Sequence, residues 1–326
     1  MKRLLFLLSV LLLLACVAEP VQTVPSAVPE VEADNILIVE DTVEKTALPT
    51  PTPSPTPTPS PTPTPSGLCG GRYPDRFSET PILTETSYSD DELSITIERY
   101  EDKYEFCDQL AVYYVADVYL QNLERWKTAA AGDNFASKQT EKLIHMAEAH
   151  NALFALSGDY FNYQNIGVII RNGVLYRDQY DARRDLCVLY RDGVMKTFEV
   201  GTYTVEEIIA SDPWQTWQFG PALLDENGDT KHDFNSALYP PNPRCVIGYY
   251  EPGHYCFVVV DGRQERYSEG AHLRELSKIM KSLGCKAAYN LDGGLSAQMY
   301  FNGVFQNHTN GPRPIGDIIY FNAKTN

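Results

Sequence analysis

Alternating apolar positions and β-branched residues divide the chain after residue 67 into many short strands. Runs at 93–98 and 109–120 have the period-two alternation of half-buried strands. Asn-Gly at 172–173 and Asp-Gly at 192–193 separate apolar runs, which predicts two hairpins. Further strands are predicted at 152–156, 186–190, 244–250, 255–260, 287–291 and 317–322.

Two longer stretches have the period of amphipathic helices. The first spans 137–150, with Ser137 as its N-cap, and the second begins at Ser268 or Gly270 and ends at Gly284. A short helix is also predicted at 205–210. The part of the chain after residue 66 therefore contains many predicted strands and few predicted helices.

Each long helix is followed by a buried strand and then by a carboxylate beside glycine. These carboxylates are Asp159 and Asp292. If the two strands lie in one sheet and point the same way, both acids emerge at the same edge, where helix-flanked sheets bind ligands. Gly293 and Gly294 follow Asp292, so a ligand can approach the backbone amides and an anion can bind to them.

The first 66 residues carry targeting signals rather than a fold. Lys2 and Arg3 precede a short apolar run, as in a secretory signal at 1–15. The run ends in Leu-Leu-Ala-Cys, a lipobox-like sequence that predicts lipidation of Cys16; the alternative is an ordinary signal peptide cut nearby. Proline alternates with Thr or Ser at 49–66 and keeps that segment extended. We therefore expect an exported cell-membrane lipoprotein facing outside, with a disordered tether at 16–66 and attachment to the membrane by lipid alone.

Charge and cysteine content narrow the partners and cofactors. The formal net charge of −16 argues against nucleic acid as a partner. Six cysteines remain after Cys16 and allow 15 disulfide pairings. Four of them lie in apolar runs, so buried free thiols are at least as compatible with the pattern as bridges. No Cys/His spacing indicates a metal site, and we expect no metal or cofactor.

Six motifs in order resemble those of the phosphodiester glycosidase family. They are Ser157-Gly158-Asp159-Tyr160-Phe161, Phe219-Gly220-Pro221-Ala222-Leu223, Asn242-Pro243-Arg244-Cys245-Val246-Ile247-Gly248, Val260-Asp261-Gly262-Arg263, Ser268-Glu269-Gly270 and Leu291-Asp292-Gly293-Gly294-Leu295-Ser296. The resemblance extends over about 137–322, within a domain at 67–326. It implies an α+β fold, with a mixed β-sheet core flanked by helices in a single globular domain. It also implies hydrolysis of a sugar that is joined through a phosphodiester at its anomeric carbon.

The resemblance gives these residues candidate roles. Asp292 and Asp159 are the candidate catalytic carboxylates, since glycoside cleavage commonly uses two. Arg244 and Arg313 are candidates for holding the phosphate, because a guanidinium binds it bidentately. The remaining candidate substrate-binding residues are Gly293, Gly294, Ser296 and Glu269. Arg244 has the alternative of simply beginning a strand, and Glu269 that of interacting with a helix dipole.

These features together predict an exported hydrolase. Its expected reaction removes a GlcNAc-like sugar from a glycosyl-1-phosphodiester, and its expected partners are such diesters or the glycans of the cell surface, wall or exopolysaccharide. The alternative is a non-catalytic module that binds wall glycans. Carboxylate geometry discriminates between them, because Asp159 and Asp292 of a glycosidase should converge within roughly 5–10 Å around a cleft. If they do not, either the enzyme hypothesis is dropped or its acids are reassigned.

Overall fold

A computed structural model of the chain describes residues 67–103 and 110–324. The predicted signal segment, Cys16, the tether at 16–66 and Cys107 lie outside these residues. The described residues belong to one compact unit. None of the helices in these ranges is long and apolar enough to cross a bilayer.

The described residues form seventeen strands and three α-helices. Numbered along the chain, the strands are β1 (Ile82–Leu83), β2 (Ser87–Ser89), β3 (Leu93–Lys103), β4 (Leu110–Leu120), β5 (Lys127–Ala130), β6 (Ala152–Ser157), β7 (Gly167–Arg171), β8 (Val174–Gln179), β9 (Leu186–Leu189), β10 (Met195–Phe198), β11 (Gln215–Trp217), β12 (Arg244–Glu251), β13 (His254–Val260), β14 (Ala287–Asn290), β15 (Met299–Phe301), β16 (Val304–Phe305) and β17 (Asp317–Asn322). The helices are α1 (Leu143–Ala149), α2 (Val205–Ala210) and α3 (Leu273–Ser282).

A seven-stranded and a five-stranded sheet pack face to face around the main core. Their strand orders are β1-β2-β3-β4-β13-β12-β14 and β16-β15-β6-β17-β5. Side chains alternate across a strand, so every second residue of β12 faces this core. Cys245 and Ile247 of β12 share it with Phe154 and Leu156 of β6 and with Phe321 of β17. The apolar residues at alternate positions of these strands therefore pack against one another and hold the two sheets together.

Helices cover the outer faces of both sheets. Leu276 and Met280 of α3 pack against Val246 and Val258, which point outward from the seven-stranded sheet. Helix α1 covers the five-stranded sheet in the same way, and α2 packs beside the small sheets β10-β9-β11 and β7-β8. The predicted α+β class, with helices flanking a sheet core, is confirmed. The strand pairs among the described residues are antiparallel.

Both long helices begin later than the sequence predicts. Residues 137–142 do not join α1, because the backbone of Glu141 forms a bridge with Ile315 instead. The segment before α3 is also non-helical, since the Ser268 hydroxyl donates to the Asp261 carbonyl at 2.6 Å and Gly270 has a φ of +102°. In both places tertiary hydrogen bonds outweigh local helix propensity.

The pairing register brings the ends of three strands, β12, β13 and β14, together in the seven-stranded sheet. Arg244, the first residue of β12, pairs with Val260, the last residue of β13. On its other side β12 pairs with β14, with Val246 opposite Asn290. The segments that follow β13 and β14 therefore emerge beside the start of β12.

The five-stranded sheet brings its own ends to the same place. Strand β6 ends at Ser157, which pairs with Ile318 near the start of β17. The Asp292 amide donates to the Gly158 carbonyl at 3.4 Å, so the ends of β6 and β14 meet across the two sheets. The condition that both strands lie in one sheet is not met, since β6 and β14 belong to different sheets; face-to-face packing brings their ends together instead.

Candidate active site

A cavity of 390 Å³ opens where these strand ends meet. Its walls combine one carboxylate, four arginines and two aromatic rings with loop residues. The lining residues are Tyr160, Arg184, Phe219, Leu238, Asn242, Pro243, Arg244, Arg263, Asp292, Gly293, Gly294, Leu295 and Arg313. Five of the eight predicted site residues are among them, namely Asp292, Arg244, Gly293, Gly294 and Arg313.

Asp292 is the carboxylate of this cavity. It follows β14 by two residues, and its backbone is fixed because the preceding Leu291 amide donates to the Cys245 carbonyl at 2.7 Å. The side chain is 12% exposed and accepts a hydrogen bond from Arg313 at 2.7 Å. Burial raises the pKa of Asp292 above its ordinary value, while the hydrogen bond from Ser296 and the charge of Arg313 oppose that rise.

Ser296 and Arg313 hold the Asp292 carboxylate. Arg313 Nε donates to Ser296 Oγ at 2.6 Å, and its Nη2 donates to Asp292. The Arg313 backbone amide donates to the Leu295 carbonyl at 3.1 Å, and its guanidinium lies 5.3 Å from the Tyr160 ring centroid. Ser296 is fully buried, so it contacts the cavity only through these neighbours. The three side chains form one connected network.

The two glycines after Asp292 differ in what their amides can do. The Gly294 amide donates to the Pro243 carbonyl at 2.9 Å, so it is already used within the fold. The Gly293 amide has no such backbone partner in the described ranges, and it alone of the two can meet an anion. A Cβ on Gly293 would lie 2.4 Å from the Pro243 carbonyl oxygen, which explains why this position carries no side chain.

Arg244 lines the cavity and also fixes one of its walls. Its side chain is buried, with Nε donating to the Ala271 carbonyl at 2.9 Å. Nη2 donates to the carbonyls of Leu238 and Pro240 at 2.6 and 2.8 Å. Much of its hydrogen-bonding capacity therefore holds the loop before β12, and its charge contributes to the cavity from behind that loop.

Asp159 is buried in the protein interior and is not one of the residues that line the cavity. Its side chain is fully buried, and Oδ1 accepts from Arg171 at 2.9 Å. Oδ2 accepts from the Gln218 amide at 2.9 Å. Arg171 also donates to Asp317 at 3.3 Å, so two carboxylates share one buried guanidinium. Burial raises the pKa of Asp317 well above its ordinary value, against the influence of Arg171.

Glu269 is not part of the cavity wall either. It is half-buried, and its backbone carbonyl accepts from the Arg263 amide at 3.1 Å. The structure thus connects Glu269 to the site through the main chain of Arg263. Its side chain does not line the cavity, so the structure shows no substrate contact for it. Helix α3 begins four residues later, so an interaction with the helix dipole is not seen either.

Sequence reasoning missed four lining side chains. Arg184 reaches the cavity from beside β9 and pairs with buried Asp181 at 2.7 Å. Arg263 follows β13, and Tyr160 and Phe219 form an aromatic wall with ring centroids 6.4 Å apart. Two of them carried a sequence signal: Arg263 comes directly after an Asp-Gly pair at a strand end, and Tyr160 is an aromatic residue next to Asp159 that could stack on a sugar.

The described cysteines are free thiols buried in the core. They are Cys69, Cys187, Cys245, Cys256 and Cys285. The Sγ atoms of Cys256 and Cys285 lie 3.6 Å apart. Among the described residues, no group of three or more His, Cys, Asp or Glu side chains could hold a metal ion.

The chain belongs to the phosphodiester glycosidase family, whose profile matches residues 150–322, more than half of its length. The predicted family is thereby confirmed. The uncharacterized prophage-derived protein YomE of Bacillus subtilis strain 168 is 29% identical over an alignment of 182 residues, and the match covers 53% of this chain and 28% of YomE. The chain therefore spans well under half of that relative.

Two solved structures share the fold. The catalytic domain of zebrafish N-acetylglucosamine-1-phosphodiester α-N-acetylglucosaminidase, solved auto-inhibited by its pro-peptide, matches with a TM-score of 0.58 and 20% identity over 71% of this chain and 84% of that one. A hypothetical protein from Synechocystis matches with a TM-score of 0.55 and 14% identity, over 71% of this chain and 62% of that one. At these identities the likeness shows the fold alone.

Proposed function

We propose that the protein hydrolyses glycosyl-1-phosphodiesters, releasing a GlcNAc-like sugar. The observation that carries the proposal is the charge pattern of the cavity, in which four arginines surround the single carboxylate Asp292. The chain as a whole has a formal net charge of −16. A cationic cavity in an acidic protein favours an anionic ligand, and guanidinium groups suit phosphate.

The leaving group explains why one cavity carboxylate is enough. The bond between the anomeric carbon and the phosphate oxygen breaks, and its electron pair stays on that oxygen. Water supplies the new oxygen on the sugar, and Asp292 accepts the proton that the water gives up. The phosphate monoester leaves as a stabilised anion, so it needs little proton donation, and the arginines stabilise its added charge.

The buried pair of Asp159 and Arg171 has a positioning role in this proposal. Asp159 Oδ1 accepts from the Phe161 amide at 3.3 Å, which fixes the turn that presents Tyr160 to the cavity. Tyr160 stacks on Tyr163 with ring centroids 4.2 Å apart. We assign the sugar to the wall of Tyr160 and Phe219, since aromatic faces stack on the apolar faces of sugar rings. Asp292 is then the one catalytic carboxylate.

Replacing Asp292 tests the reaction. With the methyl phosphodiester of α-GlcNAc-1-phosphate as substrate, Asp292→Asn is expected to lower kcat by about 10²- to 10⁴-fold. Asp229→Asn is the matched control, because Asp229 pairs with Lys281 on the surface and is 64% exposed. Full turnover by Asp292→Asn would refute the role of Asp292. Binding of the diester without turnover by the wild type would instead favour a non-catalytic glycan-binding module.

We further propose that the enzyme acts outside the cell, tethered by lipid on Cys16. The proposal rests on the lipobox-like sequence and the proline-rich spacer. Wall polymers or exopolysaccharides with glycosyl phosphate linkages are the corresponding substrates. Metabolic labelling with a fatty acid should mark the wild type and spare Cys16→Ser, which should also be released from membranes. Equal labelling of both would exclude lipidation at Cys16.

A further inference from the structure

Arg263 stands out among the four cavity arginines by its backbone. It occupies the left-handed region with a φ of +58°, which is uncommon for a residue with a side chain. The Arg263 amide donates to the Glu269 carbonyl at 3.1 Å, and the next amide, of Gln264, donates to the Ser268 carbonyl at 2.9 Å. The surrounding turn thus imposes this conformation. Such enforced conformations occur preferentially at functional sites.

The Arg263 side chain is held in a fixed direction. Its Nε and Nη2 both donate to Asn242 Oδ1, at 3.1 and 2.8 Å. The Asn242 amide group is itself fixed, since Nδ2 donates to the Pro240 carbonyl at 3.0 Å. The guanidinium lies 3.3 to 3.5 Å from where a Cβ on Gly294 would stand, so it lies over the turn that follows Asp292. A Cβ at 294 would therefore contact the guanidinium directly.

Arg263 also differs from two of the other cavity arginines in charge pairing. Arg313 is paired with Asp292 and Arg184 with Asp181. Arg263 instead bonds to the neutral Asn242, and no carboxylate of the described residues lies within ion-pair distance of it. An oriented, solvent-exposed guanidinium with its charge unneutralised is suited to an anion that arrives with the ligand.

We infer that Arg263 is the specificity-determining residue that binds the phosphate of the leaving group. This inference rests on the proposed function and deepens it. The Asn242 oxygen takes two of the five guanidinium N–H groups, which leaves Nη1 and the rest of Nη2 to the phosphate. The phosphate then lies above Gly293 and Gly294, beside Asp292. Because its charge grows as the sugar bond breaks, Arg263 contributes to turnover as well as to binding.

Kinetics on a charged and a neutral substrate test this assignment. Arg263→Gln is expected to lower kcat/KM by about 50-fold or more on the methyl phosphodiester of α-GlcNAc-1-phosphate. On the neutral 4-nitrophenyl α-N-acetylglucosaminide the loss should be less than about threefold, because that substrate has no phosphate for Arg263 to contact. Asn242→Ala should lower kcat/KM on the diester less severely, since it frees the guanidinium without removing it.

Arg266→Gln is the matched control. Arg266 lies in the same turn with a φ of +65°, but its side chain is 90% exposed and lies outside the cavity wall. It should leave kcat/KM unchanged on both substrates. Equal effects of Arg263→Gln and Arg266→Gln, or equal losses on both substrates, would overturn the assignment.

Direct binding separates this inference from the proposed function. Methyl phosphate titrated into the full chain, followed by NMR, should bind the wild type and Arg266→Gln, and should bind Arg263→Gln at least tenfold more weakly, about 1.4 kcal/mol. Arg263-dependent binding in a protein that cleaves neither substrate would count against the proposed function alone. Methyl phosphate binding that survives Arg263→Gln would refute the inference whatever the turnover.

Discussion

Burial and hydrogen bonding act in opposite directions on Asp292. Removal from water disfavours the charged carboxylate, whereas Ser296 and Arg313 both stabilise it. The balance leaves its pKa above the ordinary value for an aspartate. A carboxylate that accepts a proton from water must be ionised, so the rate should rise with pH as Asp292 loses its proton. The acid limb of the pH profile therefore lies above the range of an ordinary aspartate.

Loss of either hydrogen-bond donor should move this acid limb further. Ser296→Ala or Arg313→Gln removes a group that lowers the pKa of Asp292, so the half-maximal point of kcat/KM should shift to higher pH by about one unit. The profile of kcat/KM against pH measures the shift. Arg191→Gln serves as the control, because it breaks an exposed ion pair with Asp212. An unchanged or lowered midpoint in Ser296→Ala would contradict the network described here.

At the scale of elements, one buried ionic group joins three strands. Arg171 ends β7, Asp159 follows β6, and Asp317 begins β17. Two carboxylates share one guanidinium in a site without exposure. Asp317 Oδ1 has no hydrogen-bond partner. Because burial raises the pKa of Asp317, the folded protein holds a proton there that the unfolded chain has already released at the same pH.

This proton makes stability depend on pH. The free energy of unfolding should fall as pH rises from the unfolded pKa of Asp317, about 4, to its folded value, with a slope of up to about 1.4 kcal/mol per unit of pH. Asp317→Asn removes that titration, so its stability should change less over this range. Denaturant unfolding at several pH values measures both curves.

Asp159→Asn is the informative comparison in the same group. Asp159 Oδ1 accepts from Arg171 and the Phe161 amide, and Oδ2 accepts from the Gln218 amide. In asparagine one of these two oxygens becomes an NH₂ group, which cannot accept. We expect a loss of roughly 1–3 kcal/mol across the whole pH range. Identical pH dependence of wild type and Asp317→Asn would show that Asp317 does not hold the proton.

Local sequence signals predicted the elements better than the contacts between them. The hairpins at Asn172-Gly173 and Asp192-Gly193 are confirmed, since their turn residues determine them locally. The environment of Asp159 had no such signal, because its partner Arg171 is an ordinary strand residue until the hairpin folds against it. The same holds for Arg263, whose direction depends on Asn242 in another segment. The partners of Asp159 and Arg263 are set by tertiary hydrogen bonds, which the local sequence pattern does not encode.

At the scale of the whole molecule, the acidic chain opposes the charge of its own cavity. A net charge of −16 repels long polyanions at low salt, whereas the cavity arginines act over short distances. The Debye length falls from about 30 Å at 0.01 M to about 8 Å at 0.15 M ionic strength. Added salt should therefore relieve repulsion of a polymer more than it weakens contacts within the cavity.

This predicts opposite salt responses for large and small substrates. On a glycosyl phosphate polymer, kcat/KM should rise several-fold between roughly 0.01 and 0.15 M salt. On the methyl phosphodiester, it should change less than about twofold. Initial rates at constant pH measure both. A decrease for the polymer would mean that local attraction, and not the net charge, governs its approach.

The buried thiols can be used to detect opening of the core between the two sheets. Cys245 of β12 donates to the Ser157 carbonyl of β6 at 3.5 Å, at the junction behind Asp292. The other described cysteines are buried too. A thiol reagent can reach Cys245 only when the two sheets separate. In a variant with Cys16 and Cys107 replaced by serine, the rate at which Cys245 is labelled therefore measures how often the sheets separate. Protection of Cys245 by a bound phosphodiester would measure how strongly ligand binding holds the two sheets closed.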